Sequence, residues 1–281
     1  MNVVGLGTAG CNIAQCLEKY PQYKIHYIDT DLRENNFLKI SRQTSIEQYE
    51  SNAPDVRSFL KDIGNDITFI IGGSGSISAM SLSVLEQVKE KNITIVYIQP
   101  KLSSLTGKKK LLERMTFGIL QEYARSGLFK NIYLINNQKI VDIAGQLPVI
   151  GYFNKINEII ATTLHFINVF ENTKYIYGNV EQKENICTIS TIGLLDIHTS
   201  EETMFFDLDL VREKDYMYAF SQEKLRENSN LIPQIETKME SKSEDWLTKI
   251  SYRLYSTEYN SDFGYCVFRT SKVQERNDDS V

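Results

Sequence analysis

The chain alternates short apolar runs with longer segments in which apolar residues recur every three or four positions. Five runs in its first half are stopped by Gly, Pro, Asn or Asp, as is typical of buried parallel strands. They cover residues 2–7, 24–31, 67–73, 93–100 and 131–137. The segments with helical spacing lie between them, at 9–20, 55–64, 78–91 and 109–127. This alternation predicts a doubly wound parallel α/β sheet, in which ligands bind at the carboxyl ends of the strands.

The second half of the chain has a different pattern. One long apolar segment, 153–172, predicts a helix buried between two layers. Short strand-like pieces follow at 185–197, 203–211, 216–221 and 263–271, and helical spacing recurs at 243–256. Together these patterns predict four regions along the chain. They are a Rossmann-like domain at 1–152, the central helix with a loop after it at 153–184, a smaller α+β domain at 185–270 and a mobile tail at 271–281.

Composition narrows the class of protein. Of the 281 residues, 42% are hydrophobic and 24% are charged, as in an ordinary globular protein. The net charge of -5 gives no electrostatic reason to expect direct binding to nucleic acid. The four cysteines form no C-x-x-C pair and the three histidines are scattered, so neither a metal site nor a disulfide framework is expected. No apolar run approaches the roughly 18 residues of a membrane span. We therefore expect a soluble, cytoplasmic protein with reduced thiols.

A glycine-rich stretch, VVGLGTAGCNIA, joins the first predicted strand to the first predicted helix. Gly5, Gly7 and Gly10 have the G-x-G-x-x-G spacing of a turn whose backbone approaches a phosphate and points free N–H groups at it. Asp29 follows at about the interval of a ribose-binding acid. Taken alone, these residues fit an NAD- or FAD-dependent oxidoreductase, while a tight turn without a ligand is the simpler alternative.

A second glycine-rich stretch, IIGGSGSISAM at residues 70–80, also follows a predicted strand and opens a helix. A dinucleotide fold uses one such loop for each nucleotide domain, whereas a triphosphate held by several backbone loops can use both. The two loops together therefore predict a single polyphosphate ligand.

With both loops in view, the chain resembles the tubulin and FtsZ family of GTPases. GLGTAGCNI is similar to the first phosphate loop of that family, IDTD to its second loop and GGSGSIS to its signature loop. TGKKKLLERMTFGILQEYARSGLFKNIYLINNQKI and FNKINEII are similar to its ribose-contacting region and to the start of its central helix. The resemblance implies a GTP site formed by Gly5, Gly7, Ala9, Gly10, Cys11, Asn12, Asp29, Asp31, Gly72, Gly73, Ser74, Gly75, Ser76, Thr106, Lys110, Asn137, Phe153 and Asn157. It also implies that Asn12 contacts the base, and that Phe153 and Asn157 pack against and hydrogen-bond the guanine.

The segment NVEQKE, residues 179–184, lies just beyond the long helical segment. It has the N-x-[DE]-x-x-[DE] pattern of the family's catalytic loop, so the resemblance gives Asn179, Glu181 and Glu184 the catalytic role. Acidic residues in a polar loop are otherwise simply solvated. The resemblance covers about residues 1–190. It implies a GTPase that uses Mg²⁺ and assembles head to tail, so that the catalytic loop of one copy acts on GTP held by the next.

Four residues differ from the family's pattern. Ile71 and Ile77 stand where the signature loop has glycines, Thr106 replaces an acid near the ribose, and Lys110 replaces an arginine. A Cβ at a position that needs positive φ costs energy, and a lysine cannot form the bidentate fork of an arginine. These differences leave open a family member that has lost hydrolysis and acts as a nucleotide-regulated partner or cap.

The small second domain and the divergent signature loop favour a phage- or plasmid-type tubulin homologue over an ordinary cell-division protein. The processes expected are DNA segregation, phage positioning or division, with an adaptor or cargo protein as a further partner. In some homologues of this type an acidic tail reaches the next subunit, and Asp278 and Asp279 are candidates for that contact.

Overall fold

The structure is a computed structural model that describes residues 1–31, 33, 35–242 and 247–275. The chain divides into two compact units. Unit 1 comprises residues 1–162 and the segment that begins at residue 273, and unit 2 comprises residues 163–272. Unit 2 is therefore inserted into the sequence of unit 1.

Unit 1 is built on a parallel sheet. Its strands are β1 (Asn2–Leu6), β2 (Lys24–Asp29), β3 (Phe37–Lys39), β4 (Asp66–Gly72), β5 (Asn92–Gln99) and β6 (Asn131–Asn136), in the spatial order β3-β2-β1-β4-β5-β6. Each pair of neighbours in this order is parallel. The apolar residues of the central strands are buried, which accounts for their continuous hydrophobic runs. The prediction of a doubly wound parallel sheet is confirmed, although the short strand β3 was not predicted.

Helices connect these strands. They are α1 (Gly7–Gln15), α2 (Ile46–Ser51), α3 (Ser81–Glu86), α4 (Gly107–Arg125) and α5 (Asn137–Ala144), with short 3₁₀ helices at Ser76–Met80 and Leu102–Ser104. The long helix α6 (Tyr152–Glu171) begins in unit 1 and ends in unit 2. The predicted helices at 109–127 and 153–172 match α4 and α6, whereas α2 and α5 were not predicted.

The prediction of a helix at 55–64 is wrong. The segment forms consecutive turns, although Val56, Leu60 and Ile63 are buried at the helical spacing that suggested a helix. A segment of this length depends on tertiary contacts for its conformation, because isolated helices shorter than about 12 residues are marginal in water. Burial of its three apolar side chains therefore fixes the segment without a regular helix.

Unit 2 has a mixed sheet. Its strands are β7 (Tyr177–Asn179), β8 (Ile189–Leu195), β9 (Glu202–Met204), β10 (Glu213–Ser221), β11 (Lys249–Thr257) and β12 (Phe263–Thr270), in the order β8-β12-β10-β11-β7 with β9 beside β8. The pair β10 and β11 is parallel, and the other pairs are antiparallel. Two helices, α7 (Gln222–Glu227) and α8 (Leu231–Ser241), follow β10. The predicted α+β character is confirmed, but the strand predicted at 203–211 is limited to β9.

The prediction of a helix at 243–256 is also wrong. Most of this segment forms β11, and residues 243–246 lie outside the described residues. Ile250, Tyr252 and Leu254 pack with the apolar residues of α8, while the polar residues Lys249, Ser251 and Arg253 alternate with them. Apolar residues at every second position are typical of a strand with one face in the core. The alternation therefore overrides the helical spacing that the same residues also satisfy.

The chain returns to unit 1 after β12. Gln274 is only 2% exposed, and its N–H donates to Oε1 of Gln121 at 2.8 Å. The side-chain amide of Gln121 donates back to the carbonyl oxygen of Gln274 at 3.2 Å. The prediction of a mobile tail is therefore wrong where the chain meets α4. The remainder of that tail, with Asp278 and Asp279, lies outside the described residues.

Candidate nucleotide site and catalytic loop

The first glycine-rich loop leaves β1 and enters α1 at the carboxyl edge of the unit 1 sheet. Gly7 has a φ of 70°, in the left-handed region that favours glycine. A Cβ on Gly5 would lie 2.6 Å from the Cα of Cys11, and a Cβ on Gly10 would lie 2.1 Å from the carbonyl oxygen of Ile70. The glycines therefore allow the first turn of α1, with its free N–H groups, to pack closely against the sheet.

The second glycine-rich loop leaves β4 beside the first one. A Cβ on Gly72 would lie 3.0 Å from the Cβ of Ala9, and a Cβ on Gly73 would lie 2.1 Å from the hydroxyl oxygen of Tyr97. The hydroxyl of Ser78 donates to the carbonyl oxygen of Gly72, which closes the loop onto the 3₁₀ helix. The structure thus brings the two glycine-rich loops together at one edge of the sheet.

Asp29 and Asn12 are linked through one arginine. Asp29, at the end of β2, is fully buried and accepts a hydrogen bond from the N–H of the next residue at 2.8 Å. Arg33 donates to Oδ1 of Asn12 at 2.6 Å and lies 3.8 Å from the second carboxylate oxygen of Asp29. Asp31, by contrast, is exposed and pairs with Arg42 at 2.6 Å, which lowers the pKa of its carboxyl. Asp29 and Asn12 therefore share a cationic partner beside the first loop.

Other predicted nucleotide contacts lie where helices begin after the strands. Thr106 immediately precedes α4 and Lys110 lies in its first turn, and both residues are exposed. Asn137 is the first residue of α5, but the helix is capped by Asn136, whose side-chain oxygen accepts from the N–H of Gln138 at 2.9 Å. The capping role and the predicted nucleotide contact thus fall on two neighbouring asparagines.

The last predicted contacts lie in the second loop and at the start of α6. Ser74 and Ser76 are half-buried, and Gly75 between them is exposed. Phe153 lies in the first turn of α6 with 71% of its surface exposed, and Asn157 follows one turn later, half-buried. An exposed aromatic ring of this kind offers a face on which a base can stack.

The two isoleucines that replace family glycines have different surroundings. Ile71 lies inside β4, where it is buried and pairs with Leu6 of β1, so it is a core residue of the strand rather than a loop residue. Ile77 lies against the first loop, because a Cβ on Gly7 would be 3.3 Å from the Cβ of Ile77. The Ile77 side chain therefore fills space beside the first loop that a glycine would leave open.

The predicted catalytic loop begins at the edge of the unit 2 sheet. Asn179 ends β7 and pairs with Tyr252 of β11. A Cβ on Gly178 would lie 2.2 Å from the carbonyl oxygen of Tyr252, so glycine allows β7 to approach β11 this closely. The N–H of Glu181 donates to the hydroxyl of Ser251 at 2.9 Å. The first half of the loop is therefore fixed to β11.

The second half of the loop is held by β10 and β11. The N–H of Glu184 donates to a carboxylate oxygen of Glu213 at 2.6 Å. Its side chain forms an ion pair with Lys249, in which Nζ lies 2.9 Å from Oε1. Lys249 also donates to the carbonyl oxygen of Gln182 at 3.2 Å. The ammonium of Lys249 lowers the pKa of the Glu184 carboxyl, so Glu184 is ionised at neutral pH.

A buried ion-pair network lies under the predicted catalytic loop. Arg269 of β12 lies 3.4 Å from Glu171, 3.7 Å from Asp215 and 3.9 Å from Glu213. Arg253 of β11 pairs with Asp215. Residues of the network and of the loop line a small cavity of about 10 Å³, which has room for about one water molecule. Separating buried charges of this kind is costly, so the network gives the loop a rigid base.

Three residues that hold the predicted catalytic loop are missing from the sequence-based site: Ser251, Glu213 and Lys249. A signal for two of them is present, because Lys249, Ser251 and Arg253 alternate with the apolar residues of β11 and so share its polar face. Glu213 pairs with Lys249 in the parallel register of β10 and β11. That pairing joins residues far apart in sequence, and no local pattern indicates it.

Within the described residues, no group of three or more His, Cys, Asp or Glu side chains is arranged to hold a metal ion. A helix long and apolar enough to cross a membrane is likewise absent from the part of the chain that the structure describes.

No protein-family model and no curated protein sequence matches the chain. Solved structures do match. An FtsZ dimer from M. jannaschii has a TM-score of 0.68 at 14% identity, over 96% of this chain and 87% of that chain. A GTPγS-form protofilament of Bacillus thuringiensis serovar israelensis TubZ has a TM-score of 0.69 at 13% identity, over 95% and 86%. A GTPγS-bound protofilament of CetZ2 from Haloferax volcanii has a TM-score of 0.68 at 12% identity, over 95% and 92%.

These matches define the class of fold. The chain has the tubulin/FtsZ fold over nearly its whole length. The resemblance found in the sequence motifs is thereby confirmed at the level of the fold, at identities of 12% to 14%. The part of the chain beyond residue 190, where the motifs give no resemblance, is included in the match.

Proposed function

We propose that the chain binds GTP, assembles head to tail into filaments and hydrolyses GTP where successive copies meet. The observation that carries this proposal is the meeting of two glycine-rich loops at the carboxyl edge of a parallel sheet. Ligands of open α/β sheets bind at that edge, and two backbone loops with free N–H groups suit one polyphosphate. A dinucleotide enzyme would leave the second loop unexplained.

The nucleoside is proposed to lie beside the same loops. The side-chain oxygen of Asn12 already accepts from Arg33, so its amide N–H groups are left as donors for a base. Guanine offers O6 and N7 as acceptors for such donors. The exposed ring of Phe153 would stack on the base, and Asn157 would add a hydrogen bond. Lys110 would place a point charge near the phosphates.

Hydrolysis is proposed to use Glu181 and Glu184 of the neighbouring copy. The oxygen of a water molecule bonds to the γ-phosphorus and the bond to the β–γ bridging oxygen breaks. GDP leaves, and the proton of the water passes to the released phosphate. Phosphoryl transfer mainly needs a held triphosphate and a polar group that orients the water, and the ionised, anchored carboxylate of Glu184 suits that role. Mg²⁺ neutralises phosphate charge when bound, and it needs few protein ligands because it keeps several waters.

Head-to-tail assembly follows from placing the two halves of the site on different copies. Such a contact joins two unlike surfaces, so it can repeat indefinitely and form a filament. The protofilament structures of TubZ and CetZ2 support this arrangement. Turnover would then depend steeply on protein concentration, because an isolated copy lacks half of its site.

A second candidate function is a nucleotide-regulated partner without hydrolysis. Ile77 favours it, since its side chain occupies space beside Gly7 in the first loop. This candidate keeps GTP binding but loses turnover that depends on protein concentration.

For the biological process we propose DNA segregation, phage positioning or division by a cytoplasmic filament. The divergent signature loop and the small unit 2 support a phage- or plasmid-type homologue. An adaptor or cargo protein would link the filament to what it moves.

The test combines right-angle light scattering with phosphate release, on purified protein with GTP and Mg²⁺ over a series of protein concentrations. We expect both signals to rise together above a critical concentration. Glu184→Ala should bind GTP but release no phosphate, while the control Gln182→Ala should behave as the wild type. Normal turnover by Glu184→Ala would refute the catalytic assignment. Binding of GTP with no turnover at any concentration would select the second candidate, and binding of NAD or FAD instead of GTP would refute both.

A further inference from the structure

Lys249 is the first residue of β11, and its side chain contacts the catalytic loop. Its side chain is 37% exposed and that of Glu184 is 42% exposed, and the two groups form a 2.9 Å ion pair. The backbone of Lys249 is fixed, because its N–H donates to the carbonyl oxygen of Arg212 at 2.8 Å. A cation at the start of β11 and a carboxylate of the catalytic loop therefore reach solvent side by side.

The other cations around the cavity under the loop have different partners. Arg269 is buried in the ion-pair network, and Lys214 lies over an aromatic ring at 5.5 Å. Lys183, in the loop itself, pairs with Glu171 at 3.4 Å. Among the described residues that line this cavity, Lys249 is thus the cation that pairs with the catalytic carboxylate Glu184.

We propose that Lys249 is a catalytic cation that acts on the neighbouring copy: on assembly its ammonium contacts the γ-phosphate of the GTP held there, while Glu184 orients the attacking water. The inference rests on the proposed function and adds a catalytic group to the same site. Lys249 exchanges its bond to Glu184 for bonds to phosphate oxygens. Each member of the ion pair then has a role in hydrolysis.

Electrostatics explains why this site needs such a cation. A loop that presented only Glu181 and Glu184 would be repelled by a triphosphate. Negative charge spreads over the γ-phosphoryl oxygens in the transition state, and a cation placed there is worth a large factor in rate. On the nucleotide side, Lys110 replaces an arginine, so it offers a point charge without the bidentate fork. Lys249 adds a second positive charge from the neighbouring copy.

The test compares Lys249→Ala, Lys249→Arg and the matched control Lys272→Ala, which removes the same charge from an exposed 3.0 Å ion pair with Asp209 outside the catalytic loop. GTP affinity is measured by fluorescence with a labelled nucleotide, assembly by sedimentation with GTPγS, and kcat by phosphate release. For Lys249→Ala we expect unchanged affinity and assembly with kcat lowered about 100-fold. Lys249→Arg should keep kcat within about tenfold, because it keeps the charge. Lys272→Ala should stay within about twofold, as expected for an exposed pair.

Mixing two variants tests action on the neighbour. Ser74→Asp places a negative charge in the second glycine-rich loop and should prevent GTP binding, yet it leaves the catalytic loop intact. Lys249→Ala binds GTP but lacks the cation. Each variant alone should be inactive, and the mixture should recover turnover because Ser74→Asp supplies Lys249 to the GTP of its neighbour.

The possible results separate the inference from the function on which it rests. Full turnover by Lys249→Ala, an equal loss in Lys272→Ala, or loss of assembly in Lys249→Ala would overturn the catalytic role of Lys249 alone. Failure of the mixture to recover turnover would overturn its action on the neighbour. Absence of GTP binding in the wild type would refute the proposed function, and the inference with it.

Discussion

The Cα of Gly10 approaches the carbonyl oxygen of Ile70 so closely that a Cβ would lie 2.1 Å from it. Gly10 lies in α1, which follows the first glycine-rich loop, and Ile70 lies in β4, which leads into the second. The spacing between the two loops therefore depends on the absence of a single methyl group.

Gly10→Ala should lower the free energy of unfolding by more than about 3 kcal/mol, because backbone atoms must move to admit the methyl group. Gly118 is the control: it lies in α4, and a Cβ there would meet nothing within 4 Å. Gly118→Ala should raise stability by about 0.5–1 kcal/mol, the helix-propensity difference. Urea unfolding measures both. Equal stability of the two variants would show that α1 does not pack on β4 as described.

Ile77→Ala should open the space beside Gly7 and tighten GTP binding, while lowering the free energy of unfolding by about 2–4 kcal/mol. Titration with a labelled GTP and urea unfolding give the two quantities. Ile71→Val is the matched control, because it trims a buried strand residue and should cost about 1 kcal/mol without changing GTP affinity. GTP affinity that stays the same in Ile77→Ala would mean that Ile77 does not limit access to the first loop.

Gly178→Ala should displace the catalytic loop, because a Cβ would lie 2.2 Å from the carbonyl oxygen of Tyr252. Since Gly178 lies in unit 2 and the proposed GTP contacts lie in unit 1, GTP affinity should stay within about twofold while turnover is lost. Phosphate release and nucleotide titration on the same sample check this split. Turnover at the wild-type rate would show that β7 does not position Asn179 and Glu181.

The four cysteines should differ in reactivity. Burial raises the pKa of Cys11 to about 12 and that of Cys187 to about 11, and it also raises the pKa of the buried Cys266. Cys16 is half-buried, and its pKa is also raised by burial. A disulfide reagent at pH 8 should therefore modify Cys16 alone in the folded protein. The rate should rise about tenfold per pH unit below the pKa, because the thiolate is the reacting form.

The number of thiols that react, before and after denaturation in urea, checks this order. Cys16→Ser should remove the fast reaction, and urea should expose the other three of the four free cysteines. Rapid modification of Cys11 in the folded chain would contradict the close packing of the first glycine-rich loop, where its thiol donates to the carbonyl oxygen of Gly5 at 3.2 Å.

Local patterns were sufficient to predict five of the six strands in the sheet of unit 1. The strands there are short apolar runs buried on both faces, and Gly5, Gly7 and Gly10 mark the turn into α1 with a spacing that few other structures need. The same reasoning failed in β11, where Ile250, Tyr252 and Leu254 fit a helix and a strand equally well until the partner strand is known. Propensity alone cannot choose between two periods that the same residues satisfy.

The candidate site likewise contains some residues that the sequence predicts and others that it does not. Glycines and acids in loops are readable from sequence, because turn geometry and charge restrict the residue type. The contacts that anchor them are not. Alternation in β11 marks Ser251 as a polar residue, but its bond to the catalytic loop, like that of Glu213, depends on strand pairings that span from about 30 to 70 residues of sequence. Ile77 shows the same limit: its identity is visible in the sequence, but its contact with Gly7 requires the fold.

The contact between Gln121 and Gln274 has a consequence for the order in which the protein is made. A ribosome completes the six strands of the unit 1 sheet early, yet the buried amide of Gln121 has no Gln274 to bond until all of unit 2 has been synthesised. The side chain of Gln121 in α4 therefore lacks this partner while more than a hundred residues of unit 2 are synthesised. The last contact of the first unit thus forms only after the second unit has been synthesised.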